Sequence, residues 1–144
     1  MMDSNNAARI NSLNSDIYHK NCRIDDLSDD ITVLRRKLAS AQETQRKHQN
    51  ATKYFQDDAY GNAQRAKNVA AIENMKLAPR YASAFSKRIS GQKYNSSYDV
   101  IDAMGLKLIR EIERLEDAIA AKQREISLLQ DQISSLRQQV YRLD

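Results

Sequence analysis

The chain has 144 residues, of which 29% are charged, with three Gly, one Pro and no Trp. Turn residues are too sparse for an all-β fold, and no run of about 18 apolar residues exists to span a membrane. The formal net charge of +4 is uneven: residues 1–58 carry nine basic and nine acidic groups, residues 101–144 carry seven and eight, and residues 59–100 carry seven basic groups against Glu73 and Asp99.

The first residues, Met1 to Ser15, have no apolar core and no cationic start, so a classical signal peptide is not expected. A route that exports folded helices stays open. The single cysteine, Cys22, excludes an internal disulfide framework. It reads as a small, inert helix residue, with an intermolecular disulfide as the alternative.

From Ile10 onward the chain falls into heptads. Ile10, Ile17, Ile24, Ile31 and Leu38 occupy the a positions; Leu13, Lys20, Leu27, Leu34 and Ala41 occupy the d positions. Alternating steps of three and four put these side chains on one narrow stripe of a helix, which suits a helical partner better than a broad core. The first arm is expected over about residues 6–76. Beyond Ala41 the stripe turns polar, in QETQRKHQNATK, with Gln45, His48 and Thr52 in seam positions. This stretch lacks Gly and Pro, so a solvated or frayed helix is expected, with His48 exposed. His19 lies off the stripe and lacks the three or four histidine and cysteine ligands a metal needs, so no metal site is expected.

Aromatic residues then gather: Tyr54, Phe55, Tyr60, Tyr81, Phe85, Tyr94 and Tyr98 are seven of the chain's nine. They fit either a small core where the elements diverge or a docking surface. Pro79 should end a helix, because the residue before proline is pushed out of the α region. Arg80 to Arg88 fits a short helix, with Tyr81 and Phe85 on one face. Ser90-Gly91 is the natural turn. The joint is expected over about residues 77–97, after which Asn95, Ser96 or Ser97 caps the next helix, with Asp99 and Asp102 near its positive end.

The second arm, about residues 98–143, repeats the heptads. Ile112, Ile119, Ile126, Ile133 and Val140 are its a positions; Leu108, Leu115, Lys122, Leu129, Leu136 and Leu143 are its d positions. A helix from Asp99 to Asp144 would measure about 65–70 Å, and the 3.5-residue period predicts a left-handed supercoil. Lys20 and Lys122 each interrupt a stripe and can snorkel from it, their stems covering apolar surface. The expected fold is all-α: a single helical domain, an elongated antiparallel helical hairpin or coiled coil with a short helix and turn near residues 79–97. The heptads fit arms folded on each other and arms lent to a partner chain equally well.

Catalytic signatures are missing. There is no Ser/His/Asp set, no Cys/His pair with a plausible oxyanion site and no glycine-rich phosphate loop. Carboxylates such as Glu113, Glu116 and Asp117 follow exposed helix spacing. Neither an enzyme nor a cofactor is expected. Arg35-Arg36-Lys37, Arg46-Lys47 and Lys87-Arg88 are short basic clusters, sparser than the arginine block of a basic coiled-coil DNA binder. The acidic run Asp25, Asp26, Asp29 and Asp30 opposes phosphate, so nucleic acid is not an expected partner.

The order of heptad arm, polar stretch, proline, glycine turn and final heptad arm resembles the YwqH-like family, most specifically over LAPRYASAFSKRISGQKYNSSYDVI, Leu77 to Ile101. These small helical proteins are associated with LXG-domain toxins of bacterial type VII secretion systems and are relatives of WXG-type hairpins. The family's proline, aromatic-x-Gly turn and following aromatic would fall on Pro79, Ile89-Ser90-Gly91 and Tyr98, with Ile89 where the family usually has Trp or Phe.

The resemblance implies a targeting partner or chaperone. It would bind the helical LXG domain of a secreted toxin, with or without a second small helical protein. It would be cytoplasmic, or leave the cell with its partner. The seam residues Ile112, Leu115, Ile119, Ile126, Leu129 and Ile133 would hold partner helices. Tyr98 and Asp102, with Gly91 at the turn, would be read by the export apparatus, since Tyr98-Asp-Val-Ile-Asp102 matches the aromatic-x-x-x-Asp pattern of such substrates. Tyr54-Phe-Gln-Asp-Asp58 matches it too. The alternative is a structural, self-assembling coiled-coil protein, such as a scaffold or phage component, which would form a homo-oligomer in isolation.

Overall fold

The computed structural model describes residues 4–70 and 92–144. Among these residues the secondary structure is two helices, α1 (Ser4–Ala70) and α2 (Gln92–Leu143), packed as an all-α helical hairpin. Both are long because nothing inside them stops them: neither contains a proline, and Gly61 and Gly105 keep ordinary helical dihedrals. The expected short helix and its turn, including Pro79, Tyr81, Phe85 and Gly91, lie outside the described residues.

One expectation about the joint is corrected. Helix α2 already begins at Gln92, so Asn95, Ser96 and Ser97 lie inside it and none is its N-cap. Three polar residues in a row favour a cap locally, but no glycine or proline between Gln92 and Tyr98 prevents the helix from starting earlier.

The chain divides into two compact units. The first joins residues up to Ser40 with Glu113–Asp144; the second is Ala41–Ile112. In the first unit α1 and α2 run antiparallel, because rising numbers on α1 meet falling numbers on α2. Lys20 Nζ donates to Gln132 Oε1 at 3.0 Å, Arg23 Nε pairs with Glu125 at 3.1 Å, and Lys122 Nζ reaches Asp30 Oδ2 at 3.4 Å. The core of this unit is the expected stripe: Leu27, Ile31, Leu115, Ile119 and Ile133 are buried.

In the second unit the stripe does not stop where the hydrophobic residues stop. Ala41, Gln45, His48, Thr52, Phe55, Ala59 and Asn62 continue the three-four steps of α1, and all are partly buried. On α2 the same steps run through Tyr98, Ile101, Gly105 and Leu108 to buried Ile112. The expectation of a solvated helix holds for the other nine residues of Gln42–Lys53, which are exposed, but His48, expected exposed, is instead half-buried together with Gln45 and Thr52. Helix geometry keeps every third and fourth residue inward whatever its polarity, and His48 and Thr52 find hydrogen-bond partners there.

Candidate functional site

The six residues expected to hold partner helices lie in the seam between α1 and α2. Leu115 is 1% exposed and Ile133 4%; Ile112 and Ile119 are also buried, and Ile126 and Leu129 are half-buried. Their apolar surface is already removed from water by the chain's own first helix. A partner that gripped them would have to part the two helices. What remains open is the outer surface of α2: Val100, Met104 and Leu106 in the second unit, and Leu128 and Tyr141 in the first, are more than half exposed.

The seam lysines behave as their stems require. Lys20 and Lys122 leave part of their length in the stripe and carry their ammonium groups to the edge, where Gln132 and Asp30 receive them. Asp30 comes from the acidic run Asp25–Asp30, so one of those carboxylates is engaged across the helix pair. Arg46, from one of the short basic clusters, is engaged by Glu43 on its own helix, with Nε donating to Oε2 at 3.0 Å. The hydrogen bond from Arg46 holds the Glu43 carboxyl below its ordinary value.

The two aromatic-x-x-x-Asp pairs differ in environment. Tyr98 sits in the seam, half-buried, and its hydroxyl accepts from Gln56 Nε2 at 3.3 Å; Asp102 is exposed. Tyr54 is 75% exposed, and Asp58 one turn on is exposed too. Of the two pairs, only Tyr54–Asp58 is presented whole on the surface. The aromatic group thus splits: Phe55 and Tyr98 fill the seam, whereas Tyr54 and Tyr60 face solvent. Gly91, Tyr81 and Phe85 lie outside the described residues.

Sequence reasoning missed one contact. The His48 ring lies directly over Gly105: a Cβ built on that glycine would stand 3.0 Å from His48 Cε1. Nε2 of the same ring lies 2.8 Å from the Ile101 carbonyl oxygen. A carbonyl only accepts, so Nε2 carries the proton and donates. The available signal was a glycine in a seam position deep inside a helix, which costs about 1 kcal/mol relative to alanine unless something uses the space.

Among the described residues no group of three or more His, Cys, Asp or Glu is placed to hold a metal ion, and no helix is long and apolar enough to cross a membrane. Compared with protein-family models, with curated proteins and with solved structures, the chain matches none.

Proposed function

We propose that this protein is a non-catalytic helical binding partner, acting as a targeting chaperone for the helical N-terminal LXG domain of a type VII secreted toxin and promoting its export. The observation that carries the reading is how little the described chain buries by itself. Six hydrophobic side chains form its core: Leu27, Ile31, Ile112, Leu115, Ile119 and Ile133. Two helices share a single line of contact, whereas stable domains close layers around a core. Leu128, Val100, Met104 and Leu106 remain outside that line with their apolar surface exposed. A third helix laid along α2 would cover Leu128 in the first unit, or Val100 and Met104 in the second, without parting the seam. On this reading the partner contact would lie on the outer surfaces, with Ile112, Leu115, Ile119, Ile126, Leu129 and Ile133 holding the hairpin that presents them.

The resemblance of Leu77 to Ile101 to the YwqH-like family supplies the class of partner, and the open Tyr54–Asp58 pair supplies a candidate export contact beside Tyr98–Asp102. The test is co-expression with the LXG domain encoded nearest to this gene. A co-purifying complex, with the free protein less resistant to thermal unfolding than the complex, is the expected result. A stable homo-oligomer that ignores the LXG domain would overturn the reading in favour of a self-assembling structural coil, and light scattering distinguishes the two.

A further inference from the structure

We infer that His48 and Gly105 form a register key in the second unit: the imidazole seats in the one notch that the seam of α2 offers there, and this contact sets how α1 and α2 align through the polar stretch. The need for a key follows from the neighbours. Around His48 the seam of α1 is Gln45, His48 and Thr52. Polar side chains of similar size gain little from one alignment over another, so apolar packing does not choose the register as it does where Ile faces Leu. A directional contact supplies selectivity that this polar stretch otherwise lacks.

The contact is directional in two ways. The ring lies 3.0 Å from where a Gly105 Cβ would stand, so a side chain at that position would push the ring out of its seat by a few tenths of an ångström or more. Nε2 donates to the Ile101 carbonyl at 2.8 Å. In helical geometry that oxygen already accepts from the amide four residues on, which is Gly105 itself, so the imidazole uses the remaining lone pair. Within α1 itself Thr52 Oγ1 donates to the His48 carbonyl at 2.8 Å, a local bond that leaves the alignment to the imidazole. A slip of one heptad replaces Gly105 by Tyr98 or Ile112, the neighbouring a positions. Either side chain denies the ring access to the backbone and leaves a half-buried imidazole without its acceptor, a costly state. The notch is unique among the described residues of α2, whose single glycine is Gly105.

The test places nitroxide labels on the exposed positions Asp57 and Arg110 of the full-length chain in a Cys22→Ser background. Dipolar distances and melting curves are then measured for the parent, His48→Ala, Gly105→Ala and the double variant. A one-heptad slip shifts the label separation along the helix axis by about 10 Å. The parent should give one narrow distance. Each single variant should broaden or split it and lower the melting temperature. The double variant should lose no more than His48→Ala alone, because without the ring the added methyl meets nothing. Unchanged narrow distances in all variants would overturn the inference. So would additive melting losses, which would mean that the two residues act independently. If Gly105→Ala fails to fold, the double variant still decides: its folding supports the key, and its failure counts against it.

Discussion

Lys122 leaves a d position of the α2 seam and brings its ammonium group to within 3.4 Å of the Asp30 carboxylate on α1. Both groups keep contact with water, at 31% and 54% side-chain exposure. Such pairs contribute about 0–1 kcal/mol, less than a leucine gains by filling the same position. Lys122→Leu should therefore stabilise the hairpin by about 1 kcal/mol, measured by urea unfolding. The same change removes a charge that disfavours other pairings, so light scattering should detect self-association that the parent lacks. Destabilisation by Lys122→Leu would show that the ion pair itself matters.

Leu115 is the most buried of the described residues of α2, and Leu128, between three and four turns further on and past Lys122, is 57% exposed. Truncating Leu115 to Ala should cost about 2–4 kcal/mol through lost transfer and an unfilled space. Leu128→Ala should stay within about 0.5 kcal/mol. Chemical unfolding of both variants checks the pair. Equal losses would mean that the outer surface of α2 is already covered in the free protein, as it would be in an oligomer.

Gly61 lies inside α1 with nothing within 4 Å of the place its Cβ would occupy. Gly61→Ala should raise stability by about 0.5–1 kcal/mol, from helix propensity alone. Calorimetric melting measures it. The contrast with Gly105, where the same substitution meets the His48 ring, separates a tolerated glycine from a used one.

The aromatic-Asp pairs separate export from folding. Tyr54→Ala should leave stability within about 0.5 kcal/mol of the parent, as an exposed substitution does. If the export apparatus reads this pair, the variant should accumulate inside cells with its bound partner. Tyr98→Phe removes only a hydroxyl that accepts one exposed bond from Gln56, worth about 1 kcal/mol at most. Immunoblots of culture medium and cells score both variants. Normal export of Tyr54→Ala would remove this pair from the proposed contact.

Cys22 is exposed on α1. A maleimide should label it fully in the folded protein, without denaturant, as expected for a thiol that solvent reaches. Slow labelling that accelerates on unfolding would show that something covers it in solution.

Much of the fold was legible in the residues alone. Steps of three and four from Ile10 to Ala41 and from Leu108 to Leu143 name the inward face of each helix, since side-chain direction repeats with the helical turn. The rarity of Gly and Pro ensured that the helices would be long. That reading rests on properties of one helix at a time. Alignment is a relation between two helices, and it depends on which gap lies opposite which side chain. Only the tertiary structure therefore showed that α1's stripe runs on through Gln45, His48 and Thr52, that the chain's own helix covers Ile112 and Leu115, and that Gly105 is open because His48 occupies the space above it. Periodicity describes a face; packing decides what meets it.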